Sequence, residues 1–91
     1  MKKIKVNQMT SPRTGNPVAN QFEIYTDKGV YFQSYRSIIA FKPYNGKTQL
    51  DEYYWDYSRT TSKYRNEFLG ENTNETRRRI KEGEYKLVNL N

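Results

Sequence analysis

Ala19-Asn20-Gln21-Phe22-Glu23-Ile24-Tyr25-Thr26-Asp27-Lys28-Gly29-Val30-Tyr31-Phe32-Gln33-Ser34-Tyr35 decides the fold through its spacing. β-Branched and aromatic residues crowd two runs on either side of Asp27-Lys28-Gly29, and such residues fit a pleated strand whose side chains alternate from face to face. Gly29 can take the positive φ that a tight hairpin turn needs. Residues 19–26 and 30–35 are therefore expected to form an antiparallel hairpin. Phe22 and Ile24 share one face of its first strand. On the second, Val30, Phe32 and Ser34 oppose Tyr31, Gln33 and Tyr35, which places Phe32 in the core and the two tyrosines outside.

Working outward, Lys3-Ile4-Lys5-Val6-Asn7-Gln8-Met9 alternates at period two and reads as a strand with Ile4 and Val6 inward. Thr10-Ser11-Pro12-Arg13-Thr14-Gly15-Asn16-Pro17 has the composition of an exposed loop, with Arg13 near its tip. Downstream, Ser37-Ile38-Ile39-Ala40-Phe41-Lys42 reads as a third strand, and Tyr44-Asn45-Gly46-Lys47 turns the chain into Thr48-Gln49-Leu50. A short helix from Tyr35 to Phe41, capped by Ser34 or Ser37, is the alternative there; the adjacent isoleucines and the Asn-Gly turn favour strand.

After Leu50 the period changes. Thr60, Tyr64 and Phe68 fall four apart, Ser58, Thr60 or Thr61 can cap the start, and Gly70 stands where a left-handed cap would end a helix. Trp55 would anchor the turn leading in. Asn72-Thr73-Asn74-Glu75 opens a second helix running to Gly83, whose only large apolar residue is Ile80, so tertiary support is needed. Glu84-Tyr85-Lys86-Leu87-Val88-Asn89-Leu90 alternates again and is expected to pair with the N-terminal strand. The class that emerges is α+β: one domain over 1–91, with a β-meander over 1–50, two short helices over 57–83 and a closing strand over 84–90. Five to six short strands form a curled antiparallel sheet packed by those helices.

A chain of 91 residues can bury one small core, and nine Tyr and four Phe must help fill it. The absence of Cys and His excludes disulfides, thiolate metal sites and the commonest nucleophile–base pairs. Asp51, Glu52 and Asp56 cluster without the spacing of a calcium loop, and the loop at 10–17 lacks a phosphate-cradle motif. Neither catalysis nor a cofactor is expected. The opening Met1-Lys2-Lys3-Ile4-Lys5-Val6 lacks a signal peptide's apolar core, and no apolar run approaches the length of a membrane span. A soluble, cytoplasmic protein without membrane association is the expectation; the oligomeric state is open.

The net charge is +6, and the excess lies wholly within residues 1–49. A positive, tyrosine-bearing face attracts phosphates or an acidic protein surface. Candidate binding residues are Arg13, Tyr31, Tyr35, Arg36, Lys42 and Lys47, with Arg59 and Lys63 on the exposed side of the first helix. Tyr31 and Tyr35 next to Arg36 are the strongest local candidates for stacking; cross-strand aromatic pairing with Tyr25 is the competing explanation. Arg77, Arg78 and Arg79 fan around the second helix, and Glu75 can neutralise Arg79 at i+4.

Asn7-Gln8-Met9-Thr10-Ser11-Pro12-Arg13, Val18-Ala19-Asn20-Gln21-Phe22, Tyr31-Phe32-Gln33-Ser34-Tyr35 and Trp55-Asp56-Tyr57-Ser58-Arg59-Thr60-Thr61-Ser62-Lys63-Tyr64-Arg65 together resemble a small uncharacterised domain family of phage and prophage proteins. The resemblance spans residues 5–70. It implies a phage or mobile-element accessory protein, a class whose small members often bind and block host defence machinery, anti-CRISPR inhibitors included. The partner implied is a host protein or ribonucleoprotein complex. Direct DNA or RNA binding is the second reading, and a sponge for a nucleotide immune signal the third.

Overall fold

Successive strands joined by short turns build the sheet in the computed structural model, which describes residues 3–91; Met1 and Lys2 of the basic opening lie outside the described residues. The order is β1 (Lys5–Thr10), β2 (Pro17–Tyr25), β3 (Gly29–Ser34), β4 (Ser37–Pro43), β5 (Gln49–Asp51), α1 (Arg59–Leu69), α2 (Thr73–Lys81) and β6 (Lys86–Val88). Spatial order follows chain order from β1 to β6, antiparallel as far as β5, with β6 parallel to β5. This is an α+β fold: a mostly antiparallel open sheet with two short helices in the C-terminal half. The closing strand thus pairs with β5 and not with β1. Five strands in meander carry β1 to the far edge, and the parallel return through α1 and α2 delivers β6 to the near one.

The hairpin forms as its spacing demands, with Tyr25 opposite Val30 and Glu23 opposite Phe32. Thr26 closes the turn, its hydroxyl accepting from the Lys28 and Gly29 amides. Gly29 is required by its neighbour more than by the turn: a Cβ there would stand 2.3 Å from the Lys42 carbonyl oxygen and 2.7 Å from the Pro43 Cα. Between β3 and β4 a bulge sets both Ile39 and Ala40 against Phe32, turning two consecutive residues into the core.

One face of the sheet is covered. Phe32, Ala40 and Leu50 form a fully buried row across β3, β4 and β5, and Tyr64 and Phe68 of α1 descend onto it, with the Phe32 and Phe68 ring centres 5.6 Å apart. Burying such a side chain contributes about 1.5–3 kcal/mol. Ser58 caps α1 by accepting from the Thr61 amide, and Gly70 ends it at φ 71°. Asn72 caps α2 through the Glu75 amide. α2 gets its tertiary support from Ile80 packed against the core, from Thr73 accepting from Arg65 and from Arg77 and Arg79 reaching Asp56 and Glu71, and ion pairs at its own end add to it. Arg78 pairs with Glu75, Glu82 and Glu84, while Arg79 pairs with Glu71, Glu75 and Glu84.

Register overturns the expected inward placement of Ile4 and Val6, which are 70% and 59% exposed. Val6 pairs with Ile24 and Ile24 with Tyr31, and Tyr31 lies on the face opposite Phe32, away from the helices. Met9 is the residue β1 gives to the core, reached through an irregularity in which two positions of β1 span five of β2. For the same reason Phe22 and Ile24 share the uncovered face, while Gln21 enters the covered one, fully buried.

Candidate functional site

The turn from β3 to β4 is two residues long, Tyr35 and Arg36, with Ser34 paired to Ser37. So short a connection forces Tyr35 to φ 57°, a region unfavourable to any residue with a side chain, and its amide donates to the Asn20 carbonyl at 2.7 Å. Asn20 is itself at φ 69°. Two left-handed, non-glycine residues therefore meet at one point. Tyr35 belongs to the turn and not to the face of Tyr31, which corrects the expected shared tyrosine face.

Facing this turn is the segment between β5 and α1, held from below by Asp51. Its buried carboxylate accepts from the Tyr53 and Tyr54 amides, from the Leu90 amide and from the Asn91 side chain. Burial pushes this carboxyl upward; the four donors outweigh burial and hold it below its usual value. Asn91 also exchanges two hydrogen bonds with the Ile38 backbone, so the tail binds β4 beside the turn. Above this anchor Tyr53, Tyr54 and Tyr57 pack edge to face, with ring centres 4.9 and 5.4 Å apart.

Between the turn and this segment opens a cavity of about 690 Å³. Tyr35, Tyr54 and Tyr57 are its aromatic walls, and Arg36 is its cation. Hydroxyls of Ser34, Ser37, Ser58, Thr60 and Thr61 supply polar lining, Ser34 and Thr61 being bonded to each other at 2.9 Å. Tyr35 and Tyr57 are 52% and 65% exposed, so the rim is wet and aromatic. Behind Ser34, paired with it across the sheet, Gln21 is wholly buried with both amide atoms unpartnered.

The expected binding residues separate. Tyr35 and Arg36 line this cavity, and Arg59 lies between Ser58 and Thr60, which also line it. Among the described residues neither Arg36 nor Arg59 has an acidic partner. Lys63 is exposed one turn along α1, its ammonium 5.5 Å from the Tyr64 ring centre. Tyr31 stacks on Phe41 at 4.2 Å, on the uncovered face, beside a smaller cavity of about 410 Å³. Arg13 is exposed in the loop between β1 and β2, where Ser11 holds the turn.

Lys42 and Lys47 do not line this cavity. Lys42 projects to the covered face, donates to the Phe68 carbonyl at 2.9 Å and sits 4.2 Å from the Phe68 ring centre, closing the end of α1. Lys47 donates to the Gly83 carbonyl at 2.7 Å and holds the end of α2. Their sequence neighbours gave no sign of these contacts, because each lysine reaches a carbonyl far away in sequence.

Sequence reasoning missed two things. Tyr53 and Tyr57 are given no role by the sequence, yet they are among the most exposed aromatics; the cue is their place before Ser58, outside the helical stripe. Arg65 was assigned no role, and it is completely buried. It donates to the Trp55 carbonyl, to Asn66 at 3.0 Å and to Thr73 at 2.8 Å, with Asp56 at 3.6 Å and the Trp55 ring centre at 5.2 Å. Burial lowers its pKa and Asp56 partly restores it.

Residues 4–84 match one family. The chain belongs to DUF8033, a family of unknown function. The match runs beyond residue 70, where the phage resemblance stopped, and takes in all of α2 as well as the cavity. No curated protein and no solved structure matches the chain. Among the described residues no three acids gather as a metal site, and no helix is long and apolar enough to cross a membrane.

Proposed function

We propose that this DUF8033 chain is a non-catalytic binding module whose working surface is the tyrosine–arginine end around Tyr35, Arg36 and Tyr57. The observation that carries this is the convergence of exposed tyrosines around an open cavity with Arg36, which no acid among the described residues neutralises. Tyrosine and arginine are the side chains that concentrate binding energy at interfaces, because each gives a large rigid contact and a directed hydrogen bond. A strained backbone at the same point supports the reading: Tyr35 stands at positive φ, a conformation that glycine adopts without steric strain.

The target we assign is a component of a host nucleic-acid-handling defence complex, as the phage resemblance implies. Such a component offers an acidic surface or a bound strand to a positive face. The chain would act in the host cytoplasm as an inhibitor. In cells carrying an active CRISPR–Cas system, expression of the chain is expected to restore plaque formation by a targeted phage. Arg36→Glu and Tyr57→Ala should abolish that rescue while leaving melting unchanged. Interference that persists at full strength in the presence of the folded wild-type chain would overturn the proposal.

A further inference from the structure

We propose that the cavity at this end is a site for one nucleotide, its base stacked against Tyr35 and Tyr57 and its phosphate held by Arg36 and the first turn of α1. The inference rests on the reading of this end as the working surface and names what enters it. Volume permits it: about 690 Å³ lies within the roughly 300–1,000 Å³ of small-molecule sites. The walls favour a flat ring, since every base has a π-face that stacks on tyrosine without regard to sequence. Edge-to-face packing with Tyr54 orients Tyr57 before any ligand arrives.

The charge pattern favours an anion attached to that ring. Arg36 lines the cavity without an acidic partner, and no Asp or Glu lines it with Arg36. α1 begins at the cavity with no acid in its first turn, and Ser58 satisfies the Thr61 amide only. The amides of Arg59 and Thr60 remain among the donors that a helix start leaves without intrahelical acceptors. A phosphate there meets amides, a guanidinium and the Thr60 hydroxyl. The hydroxyls of Ser34, Ser37, Thr60 and Thr61 in the lining offer hydrogen-bond partners to the edge of a base, which an apolar side chain would leave unused.

Among the described residues Arg36 is the one cation that lines the cavity, and with the single helix start there it matches one phosphate. The ligand is therefore a free nucleotide, and a nucleotide within a strand is the alternative source of the same chemistry. The test is thermal melting and calorimetry of the intact chain with 5′-AMP, 5′-GMP and 5′-UMP, alongside adenosine, inorganic phosphate and a single-stranded oligonucleotide lacking a terminal phosphate. A 5′-nucleotide should raise the melting temperature with concentration, as mass action requires. Adenosine and phosphate should each bind far more weakly. Tyr57→Ala and Arg36→Gln should each weaken the nucleotide about tenfold or more while melting like wild type without it.

Flat melting curves at millimolar nucleotide would overturn the proposal. So would shifts that survive both substitutions, or binding of the oligonucleotide alone. A chain that blocks interference yet ignores nucleotides would keep the binding-module reading and remove this one. A chain that binds nucleotides but leaves interference intact would keep this inference and the working surface and remove the defence complex as the target.

Discussion

The arginines of α2 and the arginine of the β3–β4 turn differ in everything except residue type. Arg77 pairs with Asp56, while Arg78 and Arg79 are enclosed by Glu71, Glu75, Glu82 and Glu84. The pairing with Glu75 first of all raises the Arg78 pKa further. Arg36 faces open solvent and an aromatic cavity with no acid beside it. Local density of positive charge, highest at residues 77–79, is therefore a poor guide to available charge. What counts is whether the fold supplies acids at the spacing that consumes them, and i,i+3 and i,i+4 geometry does so on a helix but not in a two-residue turn.

Arg65 is the extreme of the consumed class, and its loss should have the largest effect. Arg65→Ala removes the donors to the Trp55 carbonyl, Asn66 and Thr73 and opens a cavity where a fully buried side chain stood, while Asp56 keeps Arg77 and the Ser62 hydroxyl. A destabilisation of about 3–5 kcal/mol is expected, since a large buried side chain is truncated and the acceptors it served are left without a donor. Urea denaturation measures it. A cost under about 1 kcal/mol would show that the buried guanidinium is not what joins α1, Trp55 and the start of α2.

Asp51 comes next and carries a pH signature. A carboxyl whose pKa is lowered by folding contributes stability above its unfolded value of about 3.9, and that contribution disappears as pH falls through the folded value. Asp51→Asn replaces an acceptor of four donors with a partial donor, for an expected cost of about 2–3 kcal/mol at pH 7. The gap between wild type and variant should stay constant from about pH 8 to 5 and narrow below about pH 4. A gap that does not change with pH would mean that shape, and not charge, holds the aromatic segment to the tail.

How much of this was legible depended on how locally each feature is determined. The β2–β3 hairpin, the Ser58 and Gly70 caps and the Tyr64–Phe68 stripe follow from neighbours within one turn, and each formed as its spacing indicates. Ile4 and Val6 were misread because alternation fixes which residues share a face without saying which face the helices cover. β6 was misread because the pairing of a terminal strand depends on where α2 releases the chain. At the site, Tyr35 and Arg36 could be found as a pair beside a turn. Their partners Tyr57, Ser58 and Thr60 lie over twenty residues downstream and are joined to them only by tertiary packing.

The smallest effect on stability should be the most informative about the turn. Tyr35 sits at φ 57°, where a Cβ costs about 1 kcal/mol relative to glycine, and its side chain is half-exposed, so little burial offsets that cost. Tyr35→Gly should therefore leave stability unchanged or raise it by up to about 1 kcal/mol, the reverse of the usual sign for losing an aromatic side chain. Glycine does loosen the unfolded chain, which reduces the gain without removing the relief of strain. If the same substitution also abolishes rescue of plaque formation, the tyrosine is kept at a conformational cost because its ring works outside the fold. A loss of 2 kcal/mol or more would instead make Tyr35 part of the packing, roughly the cost of truncating a core side chain, and would move the working surface to Tyr57 and Arg36 alone.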